Sequence, residues 1–251
     1  MNVRAVFLSL FLLQLTGIQA QQHKVRSYTW KRVEVTSRLD SLPSQEEALS
    51  LISTYKSAVD SIISPALGLS RVAMSAERPE SLLGNWAADV VVEGATATGL
   101  NLADMGLFNV GGLRSDMPEG IVRCGDIMKI SPFDNYVVVL EMKGKDMLKL
   151  MKEVAAIGGE CVSKEVRMEI SPAGKLLSCT IGGEEIQPKR IYKVATIDYL
   201  AEGNNGLTSL RKAVKRHDIG ILTRDIMMEY VIKHRVIDSK LEGRIKVSKE
   251  N

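Results

Sequence analysis

The sequence predicts an α+β fold built on a mixed sheet with flanking helices. Three observations carry that prediction. Stretches of two-residue alternation and stretches of helical period both recur along the chain, but they follow one another without the strand–helix–strand rhythm of a parallel α/β plan. No segment repeats at a fixed period and none is of low complexity, which argues against a solenoid or a propeller. The balance of 45% hydrophobic and 25% charged residues over 251 positions is that of an ordinary globular chain of one domain, or at most two small ones.

The first twenty residues stand apart from this pattern. Arg4 precedes Ala5 to Leu15, which is almost wholly apolar, and Thr16-Gly17-Ile18-Gln19-Ala20 ends on a small residue, the layout of a cleaved signal peptide. The run is shorter than the ~20 residues of a membrane span, and no later run reaches that length. Residues 21–251 are therefore expected to form a single exported domain, periplasmic or secreted, without a membrane span. No Cys stands at the cleavage point to take a lipid anchor.

Tyr28 to Thr36 alternates apolar and polar residues and predicts a strand. Ser44 and Glu47 form a capping box ahead of Ala48, Leu51, Ile52, Tyr55, Val59, Ile62 and Ile63 at helical spacing, and Ser64-Pro65 ends that helix because proline lacks a donor. A second helix is predicted over 81–93, with Leu82, Leu83, Trp86, Ala87, Val90 and Val91 on one side and Asn85 and Asp89 on another. Residues 102–109 predict a strand running into the turn Val110-Gly111-Gly112, followed by a polar loop holding Cys124-Gly125-Asp126 and Ser131-Pro132-Phe133-Asp134-Asn135. Tyr136 to Glu141 is a strand, and 144–156 a helix with Met147, Leu148, Met151, Val154 and Ala155 inward. Two strands, 166–170 and 176–181, flank the hairpin signal Ser171-Pro172-Ala173-Gly174. A strand at 192–197, a polar turn at 202–206, a last helix capped by Thr223 and running to His234, and an edge strand at 243–247 complete the reading.

The composition excludes several function classes. Lys plus Arg number 33 against 30 Asp plus Glu, interspersed without a basic block, so no nucleic-acid face is indicated. The three histidines, His23, His217 and His234, stand in no D-x-H, H-x-H or H-E-x-x-H arrangement, and His217 and His234 read as solvated positions on or near the final helix. Neither catalytic residues nor metal ligands are expected in this chain. Nucleophile-elbow, phosphate-loop and dinucleotide motifs are absent from the sequence. Cys124, Cys161 and Cys179 lack C-x-x-C spacing. Export would let two of them pair, with connectivity left open.

What the sequence does offer is a set of polar loop tips. Asn109-Val110-Gly111-Gly112-Leu113-Arg114 combines an amide, glycines that let a ligand approach the backbone, and a guanidinium suited to phosphate. Phe133 and Tyr199 lie beside Gly- and Asn-rich loops, as two plates around a flat heterocycle would, with Asn135 and Asn205 close behind them.

Leu83-Gly84-Asn85-Trp86-Ala87-Ala88-Asp89, Asn109 to Arg114, Cys124-Gly125-Asp126, Ser131 to Asn135 and Tyr192 to Ala201 stand in the order and spacing of the C-terminal domain of 5′-nucleotidases. The resemblance spans a core of about 80–207. In that family a separate N-terminal metallophosphatase domain carries two metals, and the C-terminal domain supplies the nucleoside pocket. The resemblance implies that Phe133 and Tyr199 sandwich a base, that Asn109 and Asn135 contact it, that Arg114 reaches ribose or phosphate, and that Asn205 sits at the ribose. It also implies a nucleoside monophosphate or related nucleotide as ligand, a role in nucleotide catabolism, and a separate metallophosphatase polypeptide holding zinc- or manganese-type metals, with no cofactor in this chain. The sequence departs from the family in four places: Asn205 replaces an acidic residue, Tyr199 replaces a Phe, Val110 replaces a Gly, and Pro79 takes the place of an arginine, with Arg78, one residue displaced, the candidate substitute for its phosphate or ribose contact. Two rival readings follow from these residues, a non-enzymatic exported binding or scaffold module with a degenerate pocket, and a self-contained hydrolase using Asp126, Asp134 and Asp198.

Overall fold

The computed structural model of the protein describes residues 26–32, 43–97 and 103–248. The chain divides into a unit ending at Ile52 and a unit beginning at Ser53. In the first, residues 26–32 have no regular secondary structure, and Tyr28 and Trp30 are exposed. The strand predicted over 28–36 is thus not formed at 28–32, while 33–36 and the signal-peptide residues lie outside the described segments. Alternation stabilises a strand only where one face is buried and its backbone finds a partner, and 28–32 is exposed throughout and pairs with no strand among the described residues.

Six helices and twelve strands are found among the described residues. The helices are α1 (Pro43–Ile63), α2 (Leu82–Ala97), α3 (Cys124–Ile130), α4 (Gly144–Ala156), α5 (Asp198–Ala201) and α6 (Thr223–His234). The strands are β1 (Ala66–Ser70), β2 (Met105–Phe108), β3 (Gly120–Arg123), β4 (Tyr136–Lys143), β5 (Cys161–Val162), β6 (Val166–Ile170), β7 (Leu176–Ile181), β8 (Glu184–Glu185), β9 (Ile191–Ile197), β10 (Lys215–Leu222), β11 (Val236–Ile237) and β12 (Ile245–Val247). They form sheets ordered β11-β1-β3, β10-β4-β9-β2-β5 and β12-β6-β7-β8. Each sheet mixes directions, since β1/β11, β2/β9 and β6/β12 are parallel and the other neighbours antiparallel. The α+β class with a mixed sheet is therefore the observed one.

The core lies between the five-stranded sheet and its helices. Leu83, Trp86, Ala87, Val90 and Val91 of α2 are buried, each such large side chain contributing about 1.5–3 kcal/mol relative to exposure. The helix approaches β2 so closely that a Cβ at Gly106 would stand 2.4 Å from the Ala88 carbonyl oxygen. On α4, Met147, Leu150, Met151, Val154 and Ala155 are buried, whereas Leu148 is only partly so. No helix among the described residues is long and apolar enough to cross a membrane.

Other expectations are revised. The polar loop at 124–126 is the first turn of α3, where Asp126 Oδ2 accepts the Arg123 N–H at 2.9 Å, as a first-turn carboxylate does. Thr223 does not cap α6 with its own hydroxyl, which instead donates to the Asn135 carbonyl at 2.9 Å. His217 sits on β10, a strand the sequence reading missed, with Nε2 2.9 Å from Glu141 Oε1. His234 does close the last helix, and its Nε2 lies 2.9 Å from Glu93 Oε1. All three cysteines are free. Burial pushes the Cys179 thiol up to about 12.

Candidate functional site

The topology gathers several loops at one edge of the five-stranded sheet. Because β2 and β9 are parallel neighbours, their C-terminal ends lie together, and the antiparallel β4 brings its N-terminal end to the same edge. Asn109 leaves β2, Tyr199 leaves β9, and Phe133 to Asn135 lead into β4. The loop before β4 is pinned to the start of α6, since Asn135 O accepts both the N–H and the hydroxyl of Thr223, each at 2.9 Å, and Asp134 pairs with Arg224 at 2.6 Å.

The result is a cleft of about 290 Å³ lined by Asn109, Gly111, Gly112, Phe133, Asn135, Tyr199 and Asn205. Five residues singled out from the sequence thus share one site. Arg114 is exposed outside this lining, with Nη1 3.5 Å from the Gly111 carbonyl, and Arg78 is likewise not among the lining side chains. Phe133 and Tyr199 remain 46% and 43% exposed. Two half-exposed rings at one cleft are suited to stacking on a flat ligand.

Asn109 is the most telling of these residues. It is 4% exposed, and its Oδ1 has no hydrogen-bond partner among the described residues. A buried carbonyl left unpaired costs about 1–3 kcal/mol, and of the three such buried atoms among the described residues, on Trp86, Asn109 and Thr196, only the one on Asn109 belongs to a residue lining the cleft. Gly112 makes room for that amide, because a Cβ there would stand 2.6 Å from Oδ1.

At the other wall, Asn205 holds a left-handed backbone at φ 57, which asparagine tolerates better than most residues. The Tyr199 hydroxyl donates to Asn205 Oδ1 at 3.3 Å, and Asn205 Nδ2 donates to Glu160 Oε1 at 3.4 Å. Sequence reasoning missed Glu160 altogether. Its signal was an acidic residue after Gly158-Gly159 and before a two-residue strand. Pairing of Cys161 with Phe108 sets it beside Asn109, where its Oε2 accepts the Val110 N–H at 2.7 Å and its Oε1 meets Arg78 Nη2 at 2.5 Å. Burial, with the Glu160 charge next to it, pushes the Cys161 thiol well above its ordinary 9.0.

The carboxylates of the self-contained-hydrolase reading are engaged elsewhere. Asp126 caps α3, Asp134 holds Arg224, and Asp198 Oδ1 accepts the Tyr199 N–H at 2.7 Å. No three His, Cys, Asp or Glu side chains among the described residues are grouped to hold a metal ion.

Known proteins identify the architecture. The profile described as 5′-nucleotidase, C-terminal domain matches residues 54–212. The chain belongs to this family. Among curated relatives it is 25% identical to Protein UshA of Salmonella pullorum over 140 residues, covering 55% of this chain and 26% of that protein. It is also 25% identical to the trifunctional nucleotide phosphoesterase protein YfkN of Bacillus subtilis over 237 residues, covering 84% of this chain and 16% of the relative. A solved structure, the 5′-nucleotidase precursor from Thermus thermophilus, superposes with a TM-score of 0.72 at 26% identity, over 82% of this chain and 44% of the other. The chain thus spans about a quarter of the length of UshA.

Proposed function

We propose that this member of the 5′-nucleotidase C-terminal family is an exported nucleotide- or nucleoside-binding domain that takes part in nucleotide catabolism with a metallophosphatase carried on a separate polypeptide. The observation that carries this reading is a single cleft that brings Asn109, Asn135 and Asn205 together with two half-exposed rings, Phe133 and Tyr199. Stacking between Phe133 and Tyr199 would hold the base, while Asn109 and Asn135 contact its edge. Amides and rings orient a ligand, but hydrolysis of a phosphate ester also needs an activated water and an electrophile. In this proposal both come from the partner chain, whose metals would be of zinc or manganese type. The apolar leader-like segment supports export.

Titration of the purified protein with nucleosides and nucleoside monophosphates tests the binding step. Phe133→Ala and Tyr199→Ala should each weaken binding by about 5- to 150-fold, since base–aromatic stacking is worth about 1–3 kcal/mol. Unchanged affinity in both variants refutes the stacking cleft. The protein alone with divalent metal should not turn over a nucleoside monophosphate, and adding the metallophosphatase should. Hydrolysis that stays with the purified chain overturns the division of labour. A second reading, a non-enzymatic binding module, draws on the engagement of Arg78 and Asn205 by Glu160, and it predicts binding with no effect on the turnover of any partner.

A further inference from the structure

We infer that Glu160 is a positioning residue that sets which part of a nucleotide the cleft recognises, by withdrawing the Arg78 guanidinium from the ligand so that the base, not the phosphate, dominates binding. This rests on the nucleoside-binding reading above and narrows it.

The Glu160 side chain is fully buried and that of Arg78 is 38% exposed. A carboxylate removed from water must be matched by donors. Glu160 has three: the Arg78 guanidinium at 2.5 Å, the Val110 N–H at 2.7 Å and the Asn205 amide at 3.4 Å. Arg78 is held a second time, through Nε to the Gly159 carbonyl at 2.7 Å. Turning this guanidinium toward a phosphate would strand the buried carboxylate. That leaves Arg114, exposed and without a carboxylate partner among the described residues, as the cation next to the cleft. A solvated guanidinium adds little selectivity for an anion.

The same carboxylate accounts for the amide at 205. An aspartate in that place would set a second negative charge about 3.4 Å from Glu160, a like-charge pair in a low-dielectric wall. Asparagine instead donates to Glu160 and presents its carbonyl to the Tyr199 hydroxyl. Glu160, Asn205 and Tyr199 therefore act as one coupled set.

The test titrates adenosine and adenosine 5′-monophosphate against the full-length protein and reads the ratio of the two affinities. In the unmodified protein the ratio should stay within about fivefold, as expected when the phosphate meets only a solvated charge. Arg78→Gln should leave that ratio unchanged even if it weakens both ligands. Glu160→Gln, which frees the guanidinium, should favour the monophosphate by about tenfold or more, the value of one charge-assisted hydrogen bond. Melting curves add a readout without ligand: Asn205→Asp should lower the midpoint, and the Glu160→Gln/Asn205→Asp double variant should recover it. If Glu160→Gln fails to fold, the Arg78→Gln ratio carries the test. A monophosphate preference of about tenfold that Arg78→Gln abolishes overturns the inference while leaving the nucleoside cleft standing. Binding of neither ligand, with flat responses to Phe133→Ala and Tyr199→Ala, overturns both.

Discussion

Replacing Gly112 by alanine, with Gly111→Ala as its control, isolates the role of the Asn109 amide. The two glycines are adjacent in one turn, and neither has a positive φ, so an alanine strains the backbone at neither. Their surroundings differ sharply. A Cβ at 112 would stand 2.6 Å from Asn109 Oδ1, 3.2 Å from its Cγ and 3.1 Å from Phe108 Cε1, whereas at 111 its nearest neighbour is Asn109 Nδ2 at 3.8 Å, an ordinary contact. Phe108 is fully buried and Asn109 nearly so, which leaves little room to yield. Overpacking of this kind costs about 1–3 kcal/mol. If the displacement falls on the Asn109 amide, nucleoside affinity drops by about 5- to 150-fold. If it falls on the fold, the melting temperature drops by about 2–4 °C per kcal/mol. Gly111→Ala should be neutral or stabilising by about 0.4–1 kcal/mol through the unfolded chain. Thermal melts and adenosine titrations of the two variants read both quantities. Identical behaviour of the two alanines would falsify the claim that Gly112 exists to seat Asn109.

Arg244 is 3% exposed and donates to both carboxylate oxygens of Asp89, to the Val162 and Asn85 carbonyls and to Glu242. Arg244→Met should destabilise the fold by about 3 kcal/mol, because Asp89 loses its cation and keeps only the Lys164 N–H at 2.9 Å, and a denaturant midpoint that barely moves would contradict this. For Glu93, burial acts to raise the carboxyl's affinity for protons, but hydrogen bonds from Lys233 and His234 outweigh it and hold the group below its ordinary 4.5. A depressed folded value means that the unfolded chain binds the extra proton first, so this stabilisation is complete above the ordinary value and is lost as pH falls through the folded one. Denaturant titrations on the acid side of 4.5 should therefore show a flatter pH dependence for Glu93→Gln than for the parent.

Legibility of the fold followed the strength of the local apolar pattern. Helix α4 was bounded correctly because its buried residues recur at helical spacing, and the β6–β7 hairpin because Ser171-Pro172-Ala173-Gly174 is a turn in its own right. Strand β10 was illegible for the opposite reason. Its first half, Lys215-Arg216-His217-Asp218, is polar on both faces, and it exists because β4 offers it a backbone edge. Residues 28–32 show the converse error, a good alternation that forms no strand with any of the described residues. Glu160 escaped notice because its neighbours come from distant segments, Arg78 from ahead of α2 and Val110 from the β2 turn, joined only once β5 pairs with β2.

A family motif also mixes residues that hold the fold with residues positioned for a ligand, and sequence order does not separate them. Asn85 and Asn109 both belong to matched motifs, and both are nearly buried, at 2% and 4% exposed. Asn85 has its Nδ2 committed twice at 2.8 Å, to Glu80 Oε1 and to the Lys240 carbonyl, and so ties α2 to the segment ahead of β12. Asn109 keeps an unpartnered oxygen at a cleft wall. A buried polar group must be satisfied by something, and for Asn85 the fold itself does so. For Asn109 Oδ1, as for Trp86 Nε1 and Thr196 Oγ1, no described residue does so, and Asn109 alone of the three lines the cleft, which is why Asn109→Ala should weaken nucleoside binding with less harm to stability than Asn85→Ala, and why equal loss of stability in the two would count against a ligand at this site.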